Sequence, residues 1–406
     1  MKRAGVILTV IVSLLALACG FGGATAALYI TQPAIASSHN TIQFSVKAGD
    51  TTASVAQRLQ AQGIIRNAEV FRLWARYRHL DTGIQTGIYK LSPSMSMDAI
   101  IKKLQRGQPD QQLITVLDGW RITQFPQAFT SLPNFNAKNF LQIAKTGKFM
   151  DGTTVSSKYW YVMPLQHNAM YALEGYLFPD TYYFDTSADE TKVITTLLDQ
   201  LGEKLCPGPS GQPDAYVLDK AQCTAHAVKV GQDNTDIFTA MEKQYATKDP
   251  ALALYRTLTI ASIVEREEGS RPQDIPGVAS VYYNRYLASE GKVPSDVGLL
   301  MQADPTTQYA RDSENPPKDG KWWQPIDGAA PASIAPKNAY NTYTQQGLPP
   351  GPIAASVWLA IKSSADPAPS PYFYFINGKC DHKTYFAKTN DEQLANEAKY
   401  ITQAKC

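Results

Sequence analysis

The sequence lacks the signals of several large protein classes. It has no excess of either charge, because 38 Lys and Arg residues are balanced by 36 Asp and Glu residues and the formal net charge is +2. Nucleic acids are bound by clustered cations, so we exclude a nucleic-acid partner. The P-loop, the dinucleotide fingerprint and the nucleophile elbow are absent. The five histidines form no HExxH pattern and the cysteines form no CxxC pair, so we expect neither a metal nor a cofactor.

Charge is also lacking along one segment near the amino terminus. After a basic pair, an uncharged run extends from Val6 to Tyr29, and a membrane-spanning helix needs about 20 apolar residues. We predict a transmembrane anchor at 6–29 in the inner membrane, with residues 1–5 in the cytoplasm because basic flanks tend to stay inside. The bulk of the chain would then be periplasmic. A cleaved signal peptide and a lipoprotein signal ending at Cys19 are the alternatives.

The other four cysteines agree with export, since disulfides persist outside the cytoplasm. Their spacing suggests the pairs Cys206–Cys223 and Cys380–Cys406. Four cysteines allow three connectivities, and the sequence does not choose among them. The first pair would tie a Gly- and Pro-rich insertion at about 206–235, whose composition cannot bury much core.

A small α+β module is predicted at residues 41–108, after a polar stalk at 30–40. Hydrophobic periodicity and capping residues predict its elements, which are a strand at 42–46, a helix between Thr51 and Gly63, a helix at 68–77, a strand at 86–91 and a helix at 97–104. This order resembles the LysM-type glycan-binding fold, and a spacer domain without a ligand is the alternative. Trp74 and Tyr77 lie on the predicted core face, so we assign them to packing rather than to sugar stacking.

A second, larger α+β domain is predicted at 109–406, and it begins with a strand at 113–117. A helix at 193–205 precedes the insertion. The stretch 315–336 is rich in Pro, Gly and Trp and reads as a long ordered loop. Loops of this length are uncommon unless they serve a site.

Acidic residues are concentrated at the end of a predicted helix that runs from Leu254 to Glu268 and stops at Gly269. Glu265 and Glu267 each continue an apolar stripe of this helix, so either side chain could be partly buried. Burial and the helix dipole would raise the pKa of such a carboxyl group, which could then donate a proton to a glycosidic oxygen near neutral pH. The alternative is a solvated, charged helix end.

Two further helices are predicted to begin with an aspartate followed by proline. Asp274 would cap a helix at 278–287, which presents Asn284 and Arg285 at its far end. Asp304 would cap the next helix in the same way, so we assign Asp304 to a structural cap rather than to a catalytic acid.

Several motifs, taken in order, resemble the YceG-like (MltG) family of membrane-anchored endolytic murein transglycosylases. Similar segments near 174–180 and 371–375, and the module at 41–108, extend the resemblance over nearly the whole chain beyond the stalk. The motifs are Ala261-Ser-Ile-Val-Glu-Arg-Glu267, Val278-Ala-Ser-Val-Tyr-Tyr-Asn-Arg285, Leu300-Met-Gln-Ala-Asp-Pro-Thr306, Ala339-Tyr-Asn-Thr-Tyr-Thr344 and Gly347-Leu-Pro-Pro-Gly351.

The resemblance implies an enzyme that cleaves the MurNAc-GlcNAc bond within nascent peptidoglycan glycan strands and leaves 1,6-anhydroMurNAc ends. Strand elongation would stop there, beside the peptidoglycan polymerases. The family's acid/base aligns with Glu267; geometry alone does not decide, and Glu265 stays the alternative acid. The chain departs from the family pattern at the 206–235 insertion and in the loop that holds Trp322 and Trp323.

Substrate contacts are expected from polar residues of the same motifs, which are Asn284, Arg285, Gln302, Asp304, Thr306, Asn341, Thr342 and Tyr343. The alternative for 340–343 is a hydrogen-bonded turn without substrate contact. Glu174 and Asp180 are assigned to structure.

Two other functions are compatible with these residues. One is a water-using muramidase, in which Asp304 or Glu174 is the second carboxylate that such enzymes need. The other is a non-catalytic, peptidoglycan-binding scaffold of the elongation machinery.

Overall fold

A computed structural model describes residues 33–38, 40–47, 49–77, 84, 86–105, 111–207, 218–268, 271–326, 330–404 and 406. Across them the chain is mixed α+β, as predicted. It divides into two compact units, one made of the residues up to Ile114 with Thr181–Ala188, the other of Thr115–Asp180 with Asp189–Cys406. The predicted anchor at 6–29 lies outside the described residues. Among the residues that are described, no helix is long and apolar enough to cross a bilayer.

The first unit is built from a four-stranded sheet, whose strand order is β1-β2-β3-β4, and three helices. The pairs β1–β2 and β2–β3 are antiparallel. Strand β3 was expected to open the larger domain, but it pairs within this sheet. The elements are β1 (Ile42–Val46), α1 (Thr52–Ala61), α2 (Ala68–Tyr77), β2 (Gly87–Leu91), α3 (Met97–Gln105), β3 (Gln111–Thr115) and β4 (Thr181–Asp185).

The core of the first unit explains why these segments fold where the pattern predicts. Thr51 and Ser54 form a capping box that starts α1, and Leu59 of α1 packs with Phe71 of α2 and Tyr89 of β2. One prediction was wrong at this point. Tyr77 is 72% exposed, because it ends α2 beyond the core, and its ring stacks on Trp74 at a centroid distance of 5.1 Å.

The second unit is mainly helical, with two short hairpins. Its helices and strands are α4 (Ala137–Thr146), α5 (Val155–Lys158), α6 (Glu190–Leu205), α7 (Lys220–Ala225), β5 (Lys229–Val230), β6 (Thr235–Asp236), α8 (Ile237–Gln244), α9 (Pro250–Glu268), α10 (Ile275–Ser289), α11 (Asp304–Glu314), α12 (Trp358–Ala365), β7 (Tyr374–Asn377), β8 (Thr384–Ala387) and α13 (Asn390–Glu397). Short 3₁₀ helices cover Ile122–Phe129 and Pro331–Ser333, and a π-helical turn covers Ala398–Thr402.

Helix α9 is the centre of the second unit. It is buried on all sides and packs against α8, α10 and α12, as expected of a helix without a polar face. Its buried hydroxyls are satisfied within the helix, since Thr257 donates to the Ala253 carbonyl and Thr259 to the Tyr255 carbonyl, at 2.9 and 2.8 Å. The predicted end at Gly269 lies outside the described residues.

Both disulfides suggested by the spacing are present in the second unit. Cys206, which follows α6, pairs with Cys223 of α7, and Cys380 pairs with Cys406. The insertion also contains the β5–β6 hairpin, which leads into α8. Covalent ties of this kind limit the unfolded chain most where little core is available.

Candidate active site

The last turn of α9 sends its charged side chains in different directions. Glu268 is fully buried, forms an ion pair with Arg271 and accepts from the Asn377 amide at 2.8 Å. Arg266 lies under the Trp323 ring, 4.4 Å from its centroid. These two residues are therefore used in packing, and Glu265 and Glu267 remain as candidate acids.

Glu267 is partly exposed and accepts one side-chain hydrogen bond within the described part of the chain. The Tyr282 hydroxyl, on the neighbouring helix α10, donates to its Oε1 at 2.7 Å. Desolvation raises the pKa of Glu267 to about 7, against the lowering effect of the Tyr282 hydrogen bond; the charge of Asp304 raises this pKa further and that of Arg285 lowers it. Glu267 thus keeps some exposed surface, and its carboxyl group can hold a proton near neutral pH.

Glu265 has a similar pKa but a different environment. It is 4% exposed and accepts from the Val357 backbone N–H at 2.9 Å. Desolvation raises its pKa to about 7, and the Val357 hydrogen bond lowers it. Ser262, on the same face of α9, accepts from the Ile353 N–H at 3.0 Å, so the backbone of the segment 353–357 is bound at two points. Glu265 therefore holds a backbone segment in place.

Asp304 and Tyr343 lie close to Glu267. The Tyr343 hydroxyl donates to Asp304 Oδ1 at 2.7 Å, and the charges of both Asp304 and Glu267 raise the pKa of Tyr343 after desolvation. The predicted cap was wrong: Ala303 occupies the N-cap of α11, and no side chain caps the helix. Asp304 starts the first turn instead, with its carboxylate turned to Tyr343.

Gln302 stands in a strained backbone conformation next to this cluster. Its φ of +47° lies in the left-handed region that non-glycine residues rarely adopt. The strain is held by neighbours, because Arg285 donates to the Met301 carbonyl at 2.7 Å and to the Gln302 carbonyl at 3.1 Å. Arg285 is buried and also donates to the Phe373 carbonyl at 2.7 Å. It fixes the loop that presents Gln302 and Asp304.

Three of the predicted substrate contacts are fully buried instead. The Thr342 hydroxyl accepts from the Ala303 N–H at 3.0 Å and lies 2.7 Å from that of Thr306. The Asn341 amide donates to the Ile334 carbonyl at 2.6 Å. These residues have no surface for a ligand, and they support the loop from behind, in agreement with the hydrogen-bonded turn that the sequence left open.

Asn284 is likewise used in structure. Its amide nitrogen donates to the Ser370 and Tyr372 carbonyls at 2.9 and 2.8 Å. These hydrogen bonds tie α10 to the segment before β7.

Glu174 is buried and distinct from the cluster. It accepts from the Ile122 N–H at 2.8 Å and from the Tyr309 hydroxyl at 3.0 Å. Desolvation raises its pKa to about 8, with Arg121 lowering it. Asp180 accepts from the Gln200 amide at 2.9 Å. Both acids have structural hydrogen bonds, as the sequence analysis expected.

The structure adds Tyr282 of α10 to the site. It is 1% exposed, yet its hydroxyl is the direct partner of Glu267. A tyrosine hydroxyl usually finds a hydrogen-bond partner when it is buried. A tyrosine on the buried face of a predicted helix was therefore the signal in the sequence that could have indicated a contact with an acid.

Glycines allow close packing around the site. Gly119 has a φ of +66°, and a Cβ there would lie 2.7 Å from Arg266 Nη1. Gly351 leaves room for the Tyr255 hydroxyl of α9, which donates to the Pro350 carbonyl at 2.7 Å. The Gly347–Gly351 motif is thereby held against the helix that carries Glu267.

The fold and the site define a mixed α+β protein in which a central buried helix carries a protonatable carboxyl group, that of Glu267, in its last turn. Such a group can give a proton to a leaving oxygen and then take one back. Similarity to known proteins identifies the chain further. The YceG-like family model matches residues 44–399, and the chain belongs to this family.

Relatives with assigned functions cover most of the chain. An endolytic murein transglycosylase of Bacillus subtilis (strain 168) is 27% identical over 381 residues, which are 92% of this chain and 88% of the relative. An endolytic murein transglycosylase of Streptococcus pneumoniae (strain R6) is 27% identical over 385 residues, which are 91% of this chain and 60% of the relative. The crystal structure of a YceG-like protein from Listeria monocytogenes is 24% identical and has a TM-score of 0.50, over 88% of this chain and 99% of that one.

Proposed function

We propose that this protein is an endolytic lytic transglycosylase that cleaves the MurNAc-GlcNAc bond of nascent peptidoglycan strands, with Glu267 as its acid/base. The names of the bacterial relatives support this activity. The observation that carries it is the environment of Glu267, which is partly exposed, accepts from the Tyr282 hydroxyl and has a pKa raised to about 7.

One carboxyl group is enough for this reaction. Glu267 in its protonated form gives its proton to the glycosidic oxygen as the bond to the anomeric carbon of MurNAc breaks. The C6 hydroxyl of the same sugar then bonds to that carbon, and the Glu267 carboxylate takes the hydroxyl proton. The products are a free hydroxyl on the released GlcNAc and a 1,6-anhydroMurNAc end. Because the nucleophile belongs to the substrate, its proximity replaces a bound water.

The choice of Glu267 over Glu265 follows from access. The pKa of each is raised to about 7, so proton affinity does not distinguish them. Glu265 is buried under the backbone N–H of Val357, whereas Glu267 is partly exposed. Glu265 would have to give up its backbone hydrogen bond to meet a sugar oxygen, whereas the direct partner of Glu267 is a side-chain hydroxyl.

Charge that develops on the sugar ring would be stabilised by the groups around Glu267. Asp304 supplies a negative charge near the acid, and Tyr343 orients its carboxylate. Gln302, in its strained backbone conformation, lies two residues before Asp304, and fixed dipoles of this kind would stabilise charge without reorganisation.

Location and partners complete the proposal. The uncharged run at 6–29 would anchor the chain in the inner membrane, with the catalytic unit in the periplasm beside the peptidoglycan polymerases. The module at 41–108 would act as a LysM-like glycan-binding domain, and its exposed Tyr77 ring, stacked on Trp74, offers a surface for a sugar face.

The test is digestion of uncrosslinked glycan strands by the full chain, followed by mass spectrometry of the products. We expect 1,6-anhydroMurNAc ends from the wild type and intact strands from Glu267→Gln, which keeps the size of the side chain but cannot donate an acid proton. Intact strands from the wild type under conditions where it binds them would favour the scaffold.

A water-using muramidase is the second candidate, because Asp304 lies near enough to Glu267 for its charge to act there. That reaction would give reducing MurNAc ends in place of anhydro ends. It would also make Asp304→Asn as inactive as Glu267→Gln, since a hydrolase of this type needs both carboxylates.

A further inference from the structure

A cavity in the second unit surrounds a buried arginine. It has a volume of about 310 Å³ and is lined by residues that include Arg121, Thr123, Lys145, Tyr171 and Trp322. This volume is at the small end of ligand pockets, which span roughly 300–1,000 Å³. It suits a group the size of an amino acid or dipeptide end rather than a disaccharide.

Arg121 is a buried cation whose donors are only partly paired among the described residues. The residue is 1% exposed, and its guanidinium lies 4.2 Å from the centroid of the Tyr309 ring and 4.4 Å from that of Trp322. Its Nη2 donates to the Ser313 hydroxyl at 2.6 Å. Among the described residues, Nε and Nη1 have no hydrogen-bond partner although both are buried. Leaving buried donors of a charged group unpaired is costly.

The acids near Arg121 are engaged elsewhere. Glu174 accepts from the Ile122 N–H and the Tyr309 hydroxyl; burial raises its pKa to about 8, and the charge of Arg121 lowers it. Asp312 lines the cavity but pairs with Arg311 at 2.8 Å. Arg121 thus forms no ion pair among the described residues, and it is one of the residues that line the cavity.

Thr123, on the cavity wall, is a second residue with an unpaired buried polar group among the described residues. Its hydroxyl is buried and has no partner among the described residues. Lys145 adds a second cation at the exposed rim. A ligand with an anionic oxygen would satisfy the guanidinium and the hydroxyl together, while Trp322 and Tyr171 supply an apolar wall for a small aliphatic group.

We propose that this cavity binds the free carboxylate at the end of a peptidoglycan stem peptide. The inference rests on the proposed function, which makes peptide-bearing glycan strands the substrate. The loop that contributes Trp322 to the cavity also places Trp323 over Arg266, the neighbour of Glu267, so an occupied cavity would fix this loop beside the last turn of α9. The subsite would favour strands that carry peptides over bare strands.

Calorimetric titration of the full chain tests the binding directly. The probes are N-acetyl-D-alanyl-D-alanine as the free acid, the same dipeptide as its carboxyl-terminal amide, and inorganic phosphate. We expect saturable binding of the acid and at least about tenfold weaker binding of the amide, since charge-assisted hydrogen bonds are lost. Equal binding of acid and amide, no saturation by the acid, or tighter binding of phosphate than of the acid would overturn the proposal.

Variants separate binding from folding. Thr123→Val removes a hydroxyl without a partner, so we expect an unchanged or higher melting temperature and about threefold or greater weakening of acid binding. Arg121→Met should abolish binding. Lys145→Met should weaken it more than Lys138→Met, the same change on the exposed face of α4 two turns earlier. An arginine with only a structural role would lower the melting temperature and leave Thr123→Val and Lys145→Met without effect on binding.

Cleavage assays separate this inference from the proposed function. On peptide-bearing strands, we expect Thr123→Val to raise KM at constant kcat, and on strands stripped of peptides we expect no change. If the wild type cuts neither substrate, the proposed function fails while the titration still decides the subsite. If the wild type cuts both and Thr123→Val acts equally on both, the subsite is wrong and the function stands.

Discussion

Removing one hydroxyl should shift the pH dependence of cleavage upward. Tyr282 donates to Glu267 at 2.7 Å, and a hydrogen bond to a carboxylate favours its charged form, so this bond lowers the pKa of Glu267 from where burial alone would put it. Tyr282→Phe should therefore raise that pKa above about 7. Because the protonated acid begins the reaction, the alkaline limb of kcat/KM should move to higher pH.

The size of the shift follows from the strength of the bond. A hydrogen bond to a charged group contributes about 1.5–3 kcal/mol, and one pKa unit corresponds to about 1.4 kcal/mol. Complete loss would thus give about one to two units. Glu267 is partly exposed, so water can replace some of the lost interaction, and we expect about one unit, with the limb moving from near pH 7 to near pH 8.

The assay is the pH profile of kcat/KM on uncrosslinked glycan strands, with anhydro ends counted by mass spectrometry. Tyr286→Phe is the matched control, because Tyr286 is also buried and lies one turn further along α10, where its ring packs against Tyr245. Its limb should stay in place. A limb that is unmoved by Tyr282→Phe, or that moves to lower pH, would refute the assignment of Glu267 as the donor.

Four further outcomes are expected. Asp304→Asn removes a like charge that raises the pKa of the acid, so the alkaline limb should move down by less than about one unit while anhydro ends persist; complete loss of cleavage would contradict this. Glu265→Gln keeps an acceptor for its backbone partner, so cleavage should stay within about tenfold of wild type, and inactivity would make Glu265 the acid. Asn341→Ala leaves buried groups unpaired and should lower the free energy of unfolding by about 2–4 kcal/mol in thermal or urea unfolding, against no change if the turn is dispensable. Replacing Cys380 and Cys406 by Ser opens a closure spanning 26 residues and should cost about 3 kcal/mol, with non-reducing peptide mapping as the check that this disulfide exists.

The elements of the fold could be predicted wherever the signal was local. The alternating strand at 42–46, the helix that begins after Thr51 and the helix that ends at Glu268 all appear where periodicity and capping place them. The likeness of Glu265 and Glu267 could be predicted too, since both follow apolar stripes of one helix and both have a raised pKa. The stripe positions depend on neighbours within one or two helical turns, whereas the pKa values also depend on residues of other segments.

The parts that sequence reasoning missed depend on distant partners. Asp304 was given the role of a helix cap because it precedes a proline. Its carboxylate instead accepts a hydrogen bond from Tyr343, which belongs to another segment. Asn341 and Thr342 were expected to touch substrate because they are polar and belong to a motif; they are polar because the loop behind the site needs internal hydrogen bonds. Neither spacing nor composition states which partner a polar residue will find.

Helix α9 explains how two nearly equivalent acids can have different roles. Ser262 and Glu265 lie on the face of the helix that binds the backbone at Ile353 and Val357, whereas Glu267, two positions after Glu265, points about 200° around the axis, toward Tyr282. Burial raises the pKa of both acids, so either one can hold a proton near neutral pH. Burial alone therefore does not determine which acid donates it. The helical repeat separates the two acids. Glu265 faces a backbone N–H, whereas Glu267 faces Tyr282 on the other side of the helix, where we propose that the substrate binds.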